Sequence, residues 1–163
     1  MTNAQETLLD WLRDAHAMEE QAETLLSSQA GRLKDHPEVK AGVERHLEVT
    51  RRQAHRLEAC ISRHGGSASS VKDVTGKLFA LGQSFSGVFA ADEVVKSCLA
   101  MYTFEQMEVA SYRILMEAAD VVGDPETRRV CEEILREEEA MAEWVSQQFA
   151  SITRSYLAAT HKR

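Results

Sequence analysis

Apolar residues recur at steps of three and four through most of the chain, the spacing of helices with one buried face. Short runs of turn residues separate these stretches. A first helix is expected from about residue 4 to 28, on the stripe Leu8, Leu12, Ala15, Ala22 and Leu26, widened by Trp11, Met18 and Leu25. Asn3 followed by Glu6 has the spacing of a capping box. A turn follows around Gln29–His36. Asp35-His36-Pro37-Glu38 reads as a helix start, with an acid or imidazole as cap and proline at the first position. That second helix should run from about Pro37 to Arg63 and stop at Gly65-Gly66. Residues 66–91 are irregular, with Gly76, Gly82 and Gly87 breaking a weak apolar period, and read as a crossover carrying one or two short helices. A third helix should run from Ala91-Asp92 to about Val122. Gly123-Asp124-Pro125 then supplies a stop, a cap and a start. The fourth should reach about Phe149 and bend into an extension with Ile152, Tyr156 and Leu157. The pattern is all-α: a four-helix bundle with a long crossover and an extra short helix, in a single domain over 1–163.

Polar residues interrupt each inner row. Glu19 breaks the first, and His46, Thr50 and Gln53 occupy the middle of the second. Glu105 breaks the third, with Glu108 at its edge, and Glu138 breaks the fourth. A carboxylate in an apolar row is costly unless it is paired, hydrogen-bonded or bound to a metal. The positions also agree in height. Glu19 and His46 are centred on residues 32–33, Glu105 and Glu138 on 121–122, and Glu108 and Glu138 on Gly123. Each pair should lie about 20 Å from its own turn at the rise of an α-helix. Four helices then send metal-capable side chains to one level, and carboxylates with an imidazole suit iron or manganese. The candidate ligands are Glu19, His46, Glu105, Glu108 and Glu138, with Gln53 and His16 as outer or weak ligands.

Composition narrows the partners. The chain has 163 residues and a formal charge of -7, which disfavours nucleic acid and anionic membranes. It has no long apolar run and no signal-peptide pattern, so a cytoplasmic location is expected. Cys60, Cys98 and Cys131 are an odd count at wide spacing and read as reduced core residues. Tyr102, Phe104 and Tyr112 cannot all face one core, and the crossover is rich in apolar residues, so a homodimer is expected.

The segments DWLRDAHAMEEQAE (10–23), HLEVTRRQAHRLE (46–58), FEQMEVASY (104–112) and ILREEEAMAEW (134–144), with KDVTGK (72–77) and TRSYLA (153–158), resemble the YciE/YciF-like group of bacterial ferritin-like proteins. The resemblance implies a ferritin-like bundle, dimer formation and a link to stress responses. Rubrerythrin-like relatives hold two irons through a Glu from helices 1 and 3 and an E-x-x-H from helices 2 and 4. The chain departs from these patterns at Val43, Val49, Gln106 and Met141, where they place acids or histidines. Two functions follow. One is a mono- or dinuclear iron/manganese protein that handles oxidants or metal. The other is a metal-free stress protein that acts through an interaction surface. Neither reading decides whether the protein is an enzyme.

Overall fold

A computed structural model describes residues 2–67 and 93–160, which form four helices and no strand: α1 (Asn3–Arg32), α2 (Pro37–Arg63), α3 (Glu93–Val122) and α4 (Pro125–Thr160). The crossover and the extra short helix expected from the sequence lie outside the described residues. α1 packs against α2 and α3, and α2 packs against α1 and α4. The helices therefore form a square whose neighbours in sequence, α1/α2 and α3/α4, are hairpins.

The core has three layers. One apolar layer joins Leu8 and Leu12 of α1, Leu57 and Ile61 of α2, Leu115 and Ala119 of α3, and Val130 and Ile134 of α4. At the other end, Leu26 and Ala30 meet Val39, Val43, Cys98, Met101, Met141 and Val145. The first layer joins the ends of both α2 and α3, so the chain must re-enter α3 from the opposite end of the bundle. This parallel α2/α3 arrangement is that of a ferritin-like bundle. Glu19, His46, Thr50, Gln53, Glu105, Glu108 and Glu138 fall between the two layers by residue number, and all are buried.

The helix ends show which local signals decide. Gly65 (φ 72°) and Gly123 (φ 75°) supply the left-handed conformation that closes α2 and α3. Asp124 Oδ1 accepts the Thr127 N–H at 3.0 Å and caps α4. At α1 the cap is Thr2, not Asn3: Thr2 Oγ1 accepts from Gln5 N, and Gln5 Oε1 accepts from Thr2 N. His36 precedes α2 without a side-chain cap bond, so Pro37 alone marks that start. α1 continues past Ser28 to Arg32 because Gln29, Ala30 and Leu33 remain buried. α4 continues past Phe149 without the expected break, because Ile152 extends its buried stripe. Trp11 is 42% exposed and lies outside the buried α1 stripe. Tyr112 is wholly buried, whereas Tyr102 and Phe104 are half-buried against the core. Gly42 is needed for close approach, since a Cβ there would overlap the Trp144 ring that covers it. The three cysteines are free and buried, and burial pushes the Cys98 thiol up to about 11, away from nucleophilic use at neutral pH.

Candidate metal centre

α2 places His46, Thr50 and Gln53 on one face at helical spacing, and α4 places Glu138 opposite them. His46 Nε2 lies 3.3 Å from Glu105 Oε2 and 3.3 Å from Glu138 Oε2. One ligand-capable atom from each of these three residues lies within 4.8 Å of the others. Gln53 Nε2 donates to Glu138 Oε1 and, at 3.0 Å, to Glu137 Oε2. Glu19 from α1 accepts the Tyr112 hydroxyl. Glu108, one turn from Glu105, is buried with them.

The electrostatics are those of crowded acids in a dry interior. Burial holds the Glu108 carboxyl well above its usual range, and neighbouring Glu19, Glu138 and Glu105 add to this. Glu19 is raised by burial and by Glu138, against the lowering effect of the Tyr112 hydroxyl. Burial lifts Glu105 to about 8, although His46 works in the other direction. Glu138 is buried too, but the bonds from His46, Glu105 and Gln53 outweigh burial and hold it low. For His46, burial favours the neutral ring, and the Glu105 and Glu138 carboxylates overcome it and raise the imidazole to about 10.

Glu19 Oε2 and both oxygens of Glu108 receive no hydrogen bond, and Glu105 Oε2 and Glu138 Oε2 share one donor, His46 Nε2, 3.3 Å from each. Thr50 Oγ1 and Gln53 Oε1 are likewise buried without a donor. Four carboxylates thus face one imidazole, with hard oxygen acceptors left over. The residues present fit a divalent cation that takes hard oxygen ligands with an imidazole.

All five ligand candidates read from the sequence are buried and act on one another electrostatically; the tight cluster comprises His46, Glu105 and Glu138. Gln53 reaches the cluster as an outer partner. His16 does not. Its Nε2 meets Glu58 Oε1 at 3.2 Å, between α1 and α2 and outside the acid cluster. Gln106 is exposed, so a histidine there would not reach the core, and its absence takes nothing from the centre. Met141 belongs to the apolar layer, and Val49 is half-buried beside the site. Sequence reasoning did not identify the role of Tyr112. The signal was available: Tyr112 lies one turn beyond Glu108 on the same row, and a buried phenol needs an acceptor.

Four helices enclosing a buried carboxylate–imidazole cluster at mid-height define a ferritin-like protein. Residues 3–158 match the family described as a domain of unknown function, DUF892, and the chain belongs to this family, the YciE/YciF-like group. Similar solved structures include a protein of Xanthomonas campestris pv. campestris, 34% identical over 98% of this chain and 99% of that one, with a TM-score of 0.84. The E. coli stress protein YciF is 19% identical over 94% of this chain and 99% of its own, with a TM-score of 0.76. YcfI from Rhodopseudomonas palustris is 21% identical over 90% and 94%, with a TM-score of 0.72. The last two share the fold.

Proposed function

We infer that this chain is a stress-associated ferritin-like protein whose core holds iron or manganese and handles oxidants or the metal itself. The surplus of carboxylate oxygens over donors carries this reading: three have no donor, and two share His46 Nε2. Left ionised without a cation they are strongly unfavourable, and ligation is the use that oxygens of this kind serve in a bundle core. Glu19, His46, Glu105, Glu108 and Glu138 are the ligands. When bound, the metal supplies one-electron redox chemistry that no side chain here offers. Tyr112 and Gln53 each hold one oxygen of a ligand carboxylate and so orient Glu19 and Glu138. The apolar layers on either side exclude water. The stress association rests on the likeness to YciF.

A metal-free reading has its own support. Glu19, Glu105 and Glu108 are all raised by burial, Glu105 to about 8, and each proton taken up removes part of the repulsion. The core is then a polar network that fixes helix register, and the protein acts through its surface. Elemental analysis of protein isolated without chelator separates the two. Iron or manganese above background in the wild type and its loss in Glu138→Gln support the metal centre. No metal as isolated, and none after refolding with Fe(II), leaves the network. A homodimer belongs to either reading, supported by exposed Trp11, Leu99, Ile114, Val121 and Leu157. Sedimentation at micromolar concentration that shows only monomer would refute it. No described helix is long and apolar enough to cross a membrane.

A further inference from the structure

The buried acids are connected to the surface on one side. Gln53, wholly buried on α2, donates through the same Nε2 to Glu138 inside and to Glu137 outside. Glu137 also accepts from Arg56 Nη2, and Arg56 Nη1 stands 3.7 Å from Glu133 Oε2. Along α4 the side chains of Glu133, Glu137 and Glu138 are 41%, 36% and 1% exposed. Glu133 and Glu137, four apart, lie on one face, and Glu137 and Glu138 share the Gln53 amide. An acidic row thus descends the α2/α4 seam from solvent to the cluster. Gln53 Oε1 and Thr50 Oγ1 are buried acceptors with no donor at its inner end.

We propose that this seam is the path by which a divalent cation reaches the core, with Arg56 as its gate. The proposal rests on the metal reading above. Glu133 and Glu137 gather the cation by charge. In its absence the Arg56 guanidinium occupies Glu137, so an arriving cation displaces Arg56 before it reaches Gln53. The amide then turns its free oxygen to the ion and passes it to Glu138 Oε2, which shares the donor His46 Nε2 with Glu105. A path serves rate and not capacity, so it is separable from the ligands themselves.

The test is stopped-flow uptake of Co(II) by the metal-free, full-length protein, followed by cobalt absorbance, with stoichiometry measured after dialysis. Arg56→Ala should load faster than wild type. Glu137→Gln should load roughly two- to tenfold more slowly, with a weaker dependence on salt. Both should reach the wild-type endpoint, and circular dichroism melts establish that each is folded. Should Glu137→Gln not fold, the faster loading of Arg56→Ala decides. Wild-type rates in every folded variant, with normal cobalt content, overturn the path and leave the metal centre standing. A wild type that takes up no cobalt overturns both.

Discussion

The Tyr112 hydroxyl on α3 donates to Glu19 Oε1 on α1, inside the bundle, and fixes that carboxylate from the side opposite its free oxygen. A phenol with no solvent contact needs a buried acceptor, and Glu19 has no other donor among the described residues. Each group therefore satisfies the other. Tyr112→Phe keeps the ring in its apolar layer and removes only the bond. The metal-free variant should lose about 1–3 kcal/mol, the usual cost of a stranded buried group. Chemical denaturation in chelator measures it, and a midpoint unchanged from wild type would show that Glu19 does not depend on this donor.

Glu108 is the opposite case, since both its oxygens lack donors. Burial and three neighbouring acids disfavour its charge in the metal-free protein. Glu108→Gln should stabilise the metal-free protein at pH 7, by about 1–3 kcal/mol, while weakening metal retention. Melting with chelator and metal content without it give the two signs. A variant that loses stability in chelator contradicts the electrostatic account of the core.

The same acids set a pH dependence. A carboxyl raised on folding binds more protons in the folded state, so stability falls as pH rises between its unfolded and folded values. For Glu105 that window runs from the ordinary range of 4.5 to about 8, and Glu19 and Glu108 act in the same direction. His46 adds stability that is fully present below 6.5 and is lost as pH rises through about 10. The metal-free protein should therefore melt at a higher temperature at pH 5.5 than at pH 8.5. Bound metal should flatten this difference, because ligation replaces the protons. Thermal melts across this range, with and without Mn(II), supply the comparison.

The turn between α3 and α4 has the opposite sign. Asp124 is partly buried, which works against its charge. Bonds from Thr127 and His64, with Arg63 nearby, outweigh this and hold it at about 2. Its contribution is present above the ordinary aspartate value of 3.8 and disappears as pH falls through about 2. Asp124→Ala removes the α4 cap and should cost about 1–2 kcal/mol at neutral pH. At pH 2 the difference from wild type should shrink, which parallel denaturation curves would show.

Backbone signals made much of this fold legible in the sequence, and side-chain signals gave the height of the polar core better than the direction of each residue. Pro37, Gly65 and Gly123 act through φ alone, so both bounds of α2 and the α3/α4 turn could be placed from residue type. The end of α1 could not, because Gln29, Ala30 and Leu33 stay helical or buried through tertiary packing that the local composition does not announce. Height along the bundle placed Glu19, His46, Glu105 and Glu138 together because the rise per residue is fixed. Direction around each helix was harder to judge. Gln106 is rotated about 100° from Glu105 and reaches solvent. His16, three residues before Glu19, is turned about 60° from it, enough to meet Glu58 instead. The sequence grouped Tyr112 with Tyr102 and Phe104 as aromatics that cannot share one core, because the partner that explains it is on another helix.

Val49 provides the sharpest test of what the core is for. It stands three residues from His46 and four before Gln53, half-buried beside the site, where the family resemblance places an acid. Two divalent ions at close range need enough carboxylates to offset their repulsion, and valine withholds one. The natural protein should therefore bind less than two metals per chain. Val49→Glu adds an anionic oxygen beside His46. If the core is a metal centre, the new carboxylate joins it and the iron or manganese stoichiometry rises after refolding with Fe(II) or Mn(II). If the core is a metal-free network, the new acid meets carboxylates already raised by burial and finds no donor. Metal content then stays unchanged and the melting temperature falls, with a cost of about 1–3 kcal/mol. Both quantities, measured on both proteins with and without metal, separate the readings. A rise in stoichiometry cannot come from the network, and a pure loss of stability cannot come from a centre short of one ligand.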